Sequence, residues 1–253
     1  MTICISAICN KNKQEHIVFT VDHMITTLNG EFEHPIKKYR KINKNTVGMI
    51  AGDTLLMDFF MDLEEYDSNY ETLQKLIYNK FKEKRFEIIQ NTILNTFFID
   101  IEFIKENLNK QIDNMLMQEI YKGIISTKLK SAVLLIGFIN NHAQISEIGD
   151  EGISNFNNIN FHTIGSGAQQ AQNTLLFQKH SSEDSLKTAL YNVYKAKKNA
   201  EVKQGVGRET EIGYLNHKTM KILDEKNINI LDNIYNLELE YGKTHSNLEN
   251  LNI

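Results

Sequence analysis

Residues 46–63 read TVGMIAGDTLLMDFFMDL, and within them a strand pattern gives way to a helix pattern. The first seven residues form a short, mostly apolar run, which is typical of a buried strand. Gly52 and Asp53 stand at the junction, and the segment therefore predicts a strand that leads directly into a helix. The apolar residues that follow the junction share the spacing of one helix face: Leu55, Leu56, Phe59, Phe60 and Leu63.

Strand patterns recur on both sides of this segment, with long helical patterns at about 70–125 and 186–194. The almost wholly apolar run at 131–139 predicts a central strand that is covered on both faces. Strands are predicted at ICISAIC (3–9), IVFTVD (17–22), SAVLLIGFI (131–139), HAQISEIG (142–149), NFHTIG (160–165), ETEIGYL (209–215) and TMKILDE (219–225).

The order of strands, helices, strands, helices and strands predicts an α+β fold rather than alternating βαβ units. Two antiparallel sheets stacked face to face, with helices outside both, would bury every apolar stripe in a four-layer αββα sandwich. The chain has one proline, Pro35, and no Gly/Ser-rich stretch, so residues 1–253 are interpreted as a single domain. The asparagine-rich tail after about residue 226 carries no assignment.

The composition is typical of a globular protein. The hydrophobic fraction of 41% predicts a sizeable core, and the net charge of −4 gives no reason to expect a nucleic-acid or membrane partner. No signal peptide or spanning segment is apparent, so we expect a cytoplasmic protein. Cys4 and Cys9, the only cysteines, would face opposite sides of one strand, which argues against a disulfide or a metal site.

Thr2 follows the initiator methionine and is small enough for methionine aminopeptidase to remove Met1. Removal would leave an amine beside a hydroxyl, and a terminal amine with a pKa near ~8 can accept the hydroxyl proton. Many chains begin with Met-Thr for no catalytic reason, so this residue alone is a weak signal.

Three further residues could support such a nucleophile. A lysine of the pair Lys37-Lys38 near a terminal amine would lower the amine's pKa by like-charge repulsion, and Asp22 would hold that lysine charged. Taken alone, such pairs are most often solvated surface charges. Gly52 would let a backbone N–H approach a substrate, as an oxyanion requires, although it could equally be an ordinary turn glycine.

The segment Gly165-Ser166-Gly167 follows a strand and opens a helix, as a dinucleotide-binding loop does. Gln170 stands where the third glycine of that motif belongs, and no βαβ unit surrounds the segment. Nucleotide binding is therefore the weakest hypothesis. Ser166 is either a helix-start residue or a hydroxyl of the site.

Together with Thr2, the segments VDHMITT (21–27), IKKYRKINKNTVGMIAGD (36–53) and IGSGAQQA (164–171) resemble the proteasome β-subunit family and its simpler bacterial relatives. The spacings from Asp22 to Lys38 and on to Gly52 match that family without a gap, while the first hairpin loop is longer. The resemblance covers the chain through about residue 215. It implies the N-terminal nucleophile hydrolase fold.

The resemblance also implies roles for individual residues. Thr2 would be the nucleophile, and its own amine would accept the proton. Lys38 would tune that amine, and Asp22 would orient the lysine. Gly52 would supply the oxyanion donor, and Ser166 would hydrogen-bond near the amine.

One segment departs from the family pattern, which has an aspartate, two residues, a serine and a glycine after the helix ending near residue 200. Glu201 replaces the aspartate with a longer arm and is expected to take its catalytic role, while Gln204 replaces the serine. The family's first specificity pocket would be apolar here and suited to cleavage after a hydrophobic residue, although the same residues could simply fill the sheet interface. The implied pocket residues are Ile25, Ile36, Ile50 and Thr54.

The resulting expectation is a threonine peptidase that acts on a peptide or protein substrate through an acyl-enzyme on Thr2. An amine in place of water would give ligation instead of hydrolysis. The family also implies a homo-oligomeric ring, a possible ATPase regulator, and neither a cofactor nor a metal. The alternative is a catalytically silent, proteasome-like subunit with an assembly or binding role.

Overall fold

The structure is a computed structural model, and it describes residues 2–27, 30–63, 69–107 and 114–243. The strands in these ranges are β1 (Ile3–Lys11), β2 (Gln14–Asp22), β3 (Met24–Thr27), β4 (Gly30–Glu33), β5 (Tyr39–Asn43), β6 (Thr46–Ala51), β7 (Ala132–Ile139), β8 (His142–Gly149), β9 (Gly152–Asn155), β10 (Phe161–Gly165), β11 (Thr210–Leu215) and β12 (Met220–Ile222). The α-helices are α1 (Met57–Met61), α2 (Tyr70–Ile89), α3 (Ile101–Asn107), α4 (Asn114–Ser126), α5 (Ala168–Phe177), α6 (Leu186–Ala200) and α7 (Glu225–Lys243). A 3-10 turn (Thr54–Leu56) precedes α1.

Ten of these strands form two five-stranded antiparallel sheets. The first sheet has the order β10-β1-β2-β11-β12, and the second has the order β5-β6-β7-β8-β9. β3 and β4 pair as a separate hairpin. In the first sheet, Cys4 lies opposite Val21. This register places the start of β1 beside the end of β2, and so brings Thr2 next to Asp22.

The alternation of side chains along β1 directs them into two different cores. Ile3 and Ile5 are fully buried against α5 and α6, whereas Cys4 and Ile8 lie between the two sheets. Apolar side chains from both sheets meet in that second cluster. The prediction of a mixed α and β chain with two large antiparallel sheets is therefore confirmed, and the arrangement is compatible with a sandwich.

Helices α1 and α2 cover the other face of the second sheet. Leu73, Ile77 and Phe81 form the buried stripe of α2, and the ring of Phe81 stacks on Phe60 with 4.0 Å between centroids. Asn69 caps α2, because its side chain accepts a hydrogen bond from the backbone N–H of Thr72 at 2.9 Å. These contacts hold α1 and α2, which follow Gly52 in the chain, against the second sheet.

The tail after residue 226, which had no assignment, begins as α7. Leu231 of this helix is buried in the cluster that also contains α6. The Tyr194 hydroxyl donates to the Asp232 carboxylate at 2.7 Å. α7 is therefore attached to α6 by apolar packing and by several side-chain hydrogen bonds and ion pairs.

Cys4 and Cys9 lie on opposite faces of β1, as predicted, and both thiols are free and buried. Within the described ranges, no helix combines the length and the apolar character needed to cross a bilayer. In the same ranges, no three or more His, Cys, Asp and Glu side chains are grouped to hold a metal ion.

Candidate active site

Thr2, Asp22 and Lys38 form one buried hydrogen-bonded cluster. The Lys38 ammonium donates to the Thr2 hydroxyl oxygen at 2.6 Å and to Asp22 Oδ1 at 2.8 Å. The Thr2 hydroxyl in turn donates to Asp22 Oδ1. Thr2 is 1% exposed, and the other two residues are fully buried. The structure thus brings together three residues that the sequence predicted as parts of one site.

The buried charge of Lys38 is fully compensated. Its third hydrogen bond goes to the Met24 carbonyl at 2.5 Å, so all three N–H donors have acceptors. A buried ion pair is tolerated only when such bonds replace water. Lys37, the preceding residue, points the other way and is largely exposed. Because successive side chains of an extended segment point in opposite directions, Lys38 faces the site and Lys37 faces solvent.

Three backbone N–H groups also hold the Asp22 carboxylate. Oδ1 accepts from Ile3 at 3.1 Å, and Oδ2 accepts from Met24 at 3.3 Å and from Gly207 at 2.7 Å. These donors come from three separate segments of the chain. Asp22 is therefore fixed independently of its two side-chain partners.

Ser166 lies against the backbone of Thr2. The Thr2 backbone N–H donates to Ser166 Oγ at 3.2 Å, and the Ser166 hydroxyl donates to the Thr2 carbonyl at 3.2 Å. Gly165 has φ +103°, and a Cβ there would lie 2.3 Å from the same carbonyl oxygen. A Cβ at Gly167 would lie 2.8 Å from a Val206 methyl. This glycine segment packs on the protein itself, which argues against a nucleotide loop, and Ser166 bonds to the Thr2 backbone rather than capping α5.

Thr2, Gly52 and Ser166 line one cleft of about 770 Å³. Gly52 has φ +106°, and a Cβ there would lie 2.1 Å from the Lys130 carbonyl oxygen, so only glycine fits. The backbone N–H of Asp53 donates to Ser131 Oγ at 3.0 Å and holds the junction in place. The remaining lining residues are Ala51, Asp53, Leu56, Ile88, Lys128, Leu129, Lys130, Ser131, Ala132 and Gly165.

The residues predicted for the specificity pocket do not line this cleft. Ile50 is fully buried in the cluster under α1 and α2, because its neighbours Met49 and Ala51 on β6 face the space between the sheets. Ile25, Ile36 and Thr54 are half-buried elsewhere. The apolar lining of the cleft is instead supplied by Leu56, Ile88 and Leu129.

Glu201, predicted to replace a catalytic aspartate, forms ion pairs with two lysines of α6. Its carboxylate accepts from Lys197 at 2.6 Å and lies 3.2 Å from Lys198. Among the described residues, the Glu201 carboxylate makes no hydrogen bond or ion pair with Thr2. The nearby Gln204 is exposed. The structure therefore does not bring Glu201 or Gln204 into the cluster around Thr2.

Lys197 lies near the site and was not predicted from the sequence. It is fully buried, and burial lowers its pKa although the Glu201 carboxylate acts in the opposite direction. Lys197 Nζ also donates to the Arg208 carbonyl at 2.7 Å, one residue beyond the Gly207 N–H that holds Asp22. A signal was present, because Lys197 stands four residues after Val193 on the apolar stripe of α6.

A second polar cluster contains Glu211 and three sequence neighbours of Asp22 and Lys38, namely His23, Lys37 and Tyr39. Glu211 accepts a hydrogen bond from the Tyr39 hydroxyl at 2.7 Å, and its carboxylate lies 3.5 Å from His23 Nε2 and 3.8 Å from Lys37 Nζ. The Glu211 carboxylate raises the pKa of His23. Burial acts to raise the pKa of Glu211, but these three partners outweigh it and lower that pKa. The cluster thus favours a charged pair of His23 and Glu211.

No protein-family model matches this sequence. No significantly similar curated protein was found either. The resemblance carried by residues 21–27 and 36–53 therefore stays a prediction. What bears on function is the contact of Thr2, which lines the cleft, with the fully buried Lys38 and Asp22.

Proposed function

We propose that this protein is an N-terminal threonine amidohydrolase of the proteasome β-subunit type, with the N-terminal nucleophile hydrolase fold, that cleaves peptide bonds through Thr2. The single observation that carries the proposal is the buried Lys38 ammonium 2.6 Å from the Thr2 hydroxyl oxygen. A hydroxyl oxygen that accepts from a buried cation is poised to carry negative charge. Two sheets that share an apolar layer, with helices outside them, also support the αββα fold of that family.

Activation begins with removal of Met1, which lies outside the described residues. The freed amine of Thr2 takes the hydroxyl proton while Oγ1 attacks the carbonyl carbon of the substrate. The positive charge of Lys38 favours the neutral form of that amine by repulsion, and it stabilises charge on the attacking oxygen. Ser166 Oγ, 3.2 Å from the Thr2 nitrogen, orients the amine.

Attack forms the bond between Oγ1 and carbon and moves an electron pair onto the carbonyl oxygen. The Gly52 N–H, at the edge of the same cleft, stabilises this oxyanion. The protonated amine of Thr2 then gives its proton to the departing nitrogen as the C–N bond breaks. Water, deprotonated by the same amine, hydrolyses the ester and restores Thr2.

The substrate is a peptide or protein segment with an apolar side chain beside the bond that is cleaved. Leu56, Ile88 and Leu129 supply apolar surface in the cleft that also contains Thr2. The predicted pocket around Ile50 is replaced in this proposal, because Ile50 is buried under helices.

A peptide vinyl sulfone tests the proposal, because it adds the Thr2 oxygen across its double bond and loses no atoms. The intact mass should rise by the full mass of the probe. Tandem mass spectrometry should place the adduct on Thr2, and the variant Thr2→Ala should not react. An adduct elsewhere, or none with several apolar probes, would refute the assignment.

A catalytically silent, proteasome-like subunit is the second candidate. It is favoured by one observation, the engagement of Glu201 with Lys197 and Lys198 together with the exposure of Gln204. In that case neither the probe nor peptides would react, whether Met1 is retained or removed. The two candidates are therefore separated by the labelling experiment itself.

A further inference from the structure

Helix α7 carries apolar side chains on two neighbouring faces. One face packs on the protein, since Leu231 is 9% exposed and Ile228 and Tyr235 are half-buried against the same cluster. The neighbouring face carries Ile230, Ile234 and Leu237, which are 48%, 44% and 54% exposed. We call these three residues the outer stripe. A surface helix normally exposes polar residues to solvent. We therefore expect the exposed apolar side chains of the outer stripe to be covered by a partner.

The spacing of the outer stripe is that of a coiled-coil seam. Ile230, Ile234 and Leu237 follow one another by four and three residues, and Tyr241 adds a further step of four. Steps of four and three are the alternation of a and d positions in a heptad repeat. This pattern fits another helix of the same kind.

We propose that the outer stripe pairs with the outer stripe of a second copy of this chain, with the two α7 helices antiparallel. A two-fold interface uses the same patch on both subunits, so each stripe is the complement of the other. Exposed Lys226 lies near one end of the stripe and exposed Glu240 near the other, on the same flank of the helix.

These two charges determine the orientation. In an antiparallel pair, Lys226 of each copy lies near Glu240 of the other, which gives two opposite-charge contacts flanking the seam. In a parallel pair, the lysines would meet at one end and the glutamates at the other. The inference does not depend on the proposed catalytic activity, because none of these residues lines the cleft.

Sedimentation velocity of the full chain tests the interface. Ile234→Asp places a charge in the seam and should reduce the mass of the assembly by a factor of about two, since a two-fold interface joins identical halves. Asn229→Asp, an exposed position on the same helix that lies farther around it from the stripe than Lys226 and Glu240 do, should leave the mass unchanged. A circular dichroism spectrum identical to wild type confirms that each variant is folded. An unchanged mass with Ile234→Asp, or a monomeric wild type whose α7 is covered by its own residues 244–253 or by another protein, overturns the proposal.

Charge exchange and disulfide trapping test the orientation. Lys226→Glu alone should weaken association, and the double change Lys226→Glu with Glu240→Lys should restore it. The native thiols are buried, so Lys226→Cys and Glu240→Cys each add one accessible thiol. A mixture of the two cysteine variants should oxidise to the mixed dimer faster than either variant alone dimerises. Faster trapping of Lys226→Cys with itself would overturn the antiparallel arrangement.

Discussion

The Lys38 ammonium lies 2.6 Å from the hydroxyl oxygen of Thr2, across 36 residues of sequence. Thr2 is 1% exposed and Lys38 is fully buried in the chain that carries Met1. Asp22 and the Met24 carbonyl also accept hydrogen bonds from the Lys38 ammonium, so the position of this side chain is fixed. A fixed cation at a hydroxyl is an arrangement that favours nucleophilic chemistry once the site is opened.

Lys38→Met keeps the volume of the side chain and removes its charge. We expect kcat/KM to fall by about 10²–10³-fold, because charge on the attacking oxygen loses its partner. The free energy of unfolding should also fall, by about 3–5 kcal/mol, since Asp22 stays buried without its cation. Peptide hydrolysis and urea unfolding measure the two effects. Lys37→Met, the exposed neighbour, is the control, and an equal loss of activity there would argue against a specific role for Lys38.

Ser166→Ala removes one acceptor and one donor at the Thr2 backbone. We expect a loss of about 1 kcal/mol in stability. The fall in kcat should exceed the change in KM, because the hydroxyl orients the proton acceptor rather than the substrate. Ser154→Ala, an exposed serine on β9, provides the control. Unchanged kcat in Ser166→Ala would exclude Ser166 from the catalytic arrangement.

Lys197→Met tests whether the contact with the Arg208 carbonyl positions Asp22. Loss of this anchor should displace Gly207, and small displacements of a site can cost up to about 100-fold in rate. The matched variant is Lys198→Met, which also removes a partner of Glu201, whereas the hydrogen bond to the Arg208 carbonyl comes from Lys197. A loss of kcat is expected only for Lys197→Met. Equal activity of the two variants would contradict the positioning role.

The ion pair of His23 and Glu211 predicts a pH dependence of stability. The pKa of His23 is raised, so its contribution is complete below the unfolded pKa of about 6.5 and is lost as pH rises through the folded value. The pKa of Glu211 is lowered, so its contribution is lost only as pH falls through that lowered value. Glu211→Gln should therefore cost more stability at pH ~5.5 than at pH ~8.5. Urea unfolding at both pH values checks this, and a cost independent of pH would show that the pair is not charged.

Most strands were predicted because they carry their pattern locally, whereas β3, β4, β5 and β9 were not predicted. β1 and β2 are rich in β-branched residues and alternate between two cores, and β7 is almost wholly apolar. The hairpin of β3 and β4 had no such signal, because its residues are exposed or half-buried. Short, solvated strands lack the burial that produces a pattern.

α7 escaped prediction for a different reason. Apolar residues occur on two neighbouring faces of this helix, and the two stripes obscure each other's period in the sequence. Asparagines between them weaken the helical signal further. The second stripe became visible only once the structure showed which face packs on α6.

The cluster around Thr2 was predictable from spacing and family resemblance, whereas its surroundings depend on packing that sequence does not encode locally. The direction of Ile50 follows from the alternation of β6, which also explains why it lies outside the cleft. The pairing of Glu201 with Lys197 depends on one turn of α6. Only the three-dimensional structure shows that Lys197 in this turn of α6 binds the Arg208 carbonyl, next to the Gly207 N–H that binds Asp22.

The most direct test compares two chains that differ only by Met1. Fusion to ubiquitin and cleavage after its last residue can release either a chain that begins at Thr2 or one that begins at Met1. With intact mass confirming each terminus, the chain beginning at Thr2 should be labelled by a peptide vinyl sulfone and should hydrolyse apolar peptides, while the other should do neither. Equal reactivity of the two chains, or persistent labelling of Thr2→Ala, would contradict a nucleophile built from the amine and hydroxyl of Thr2.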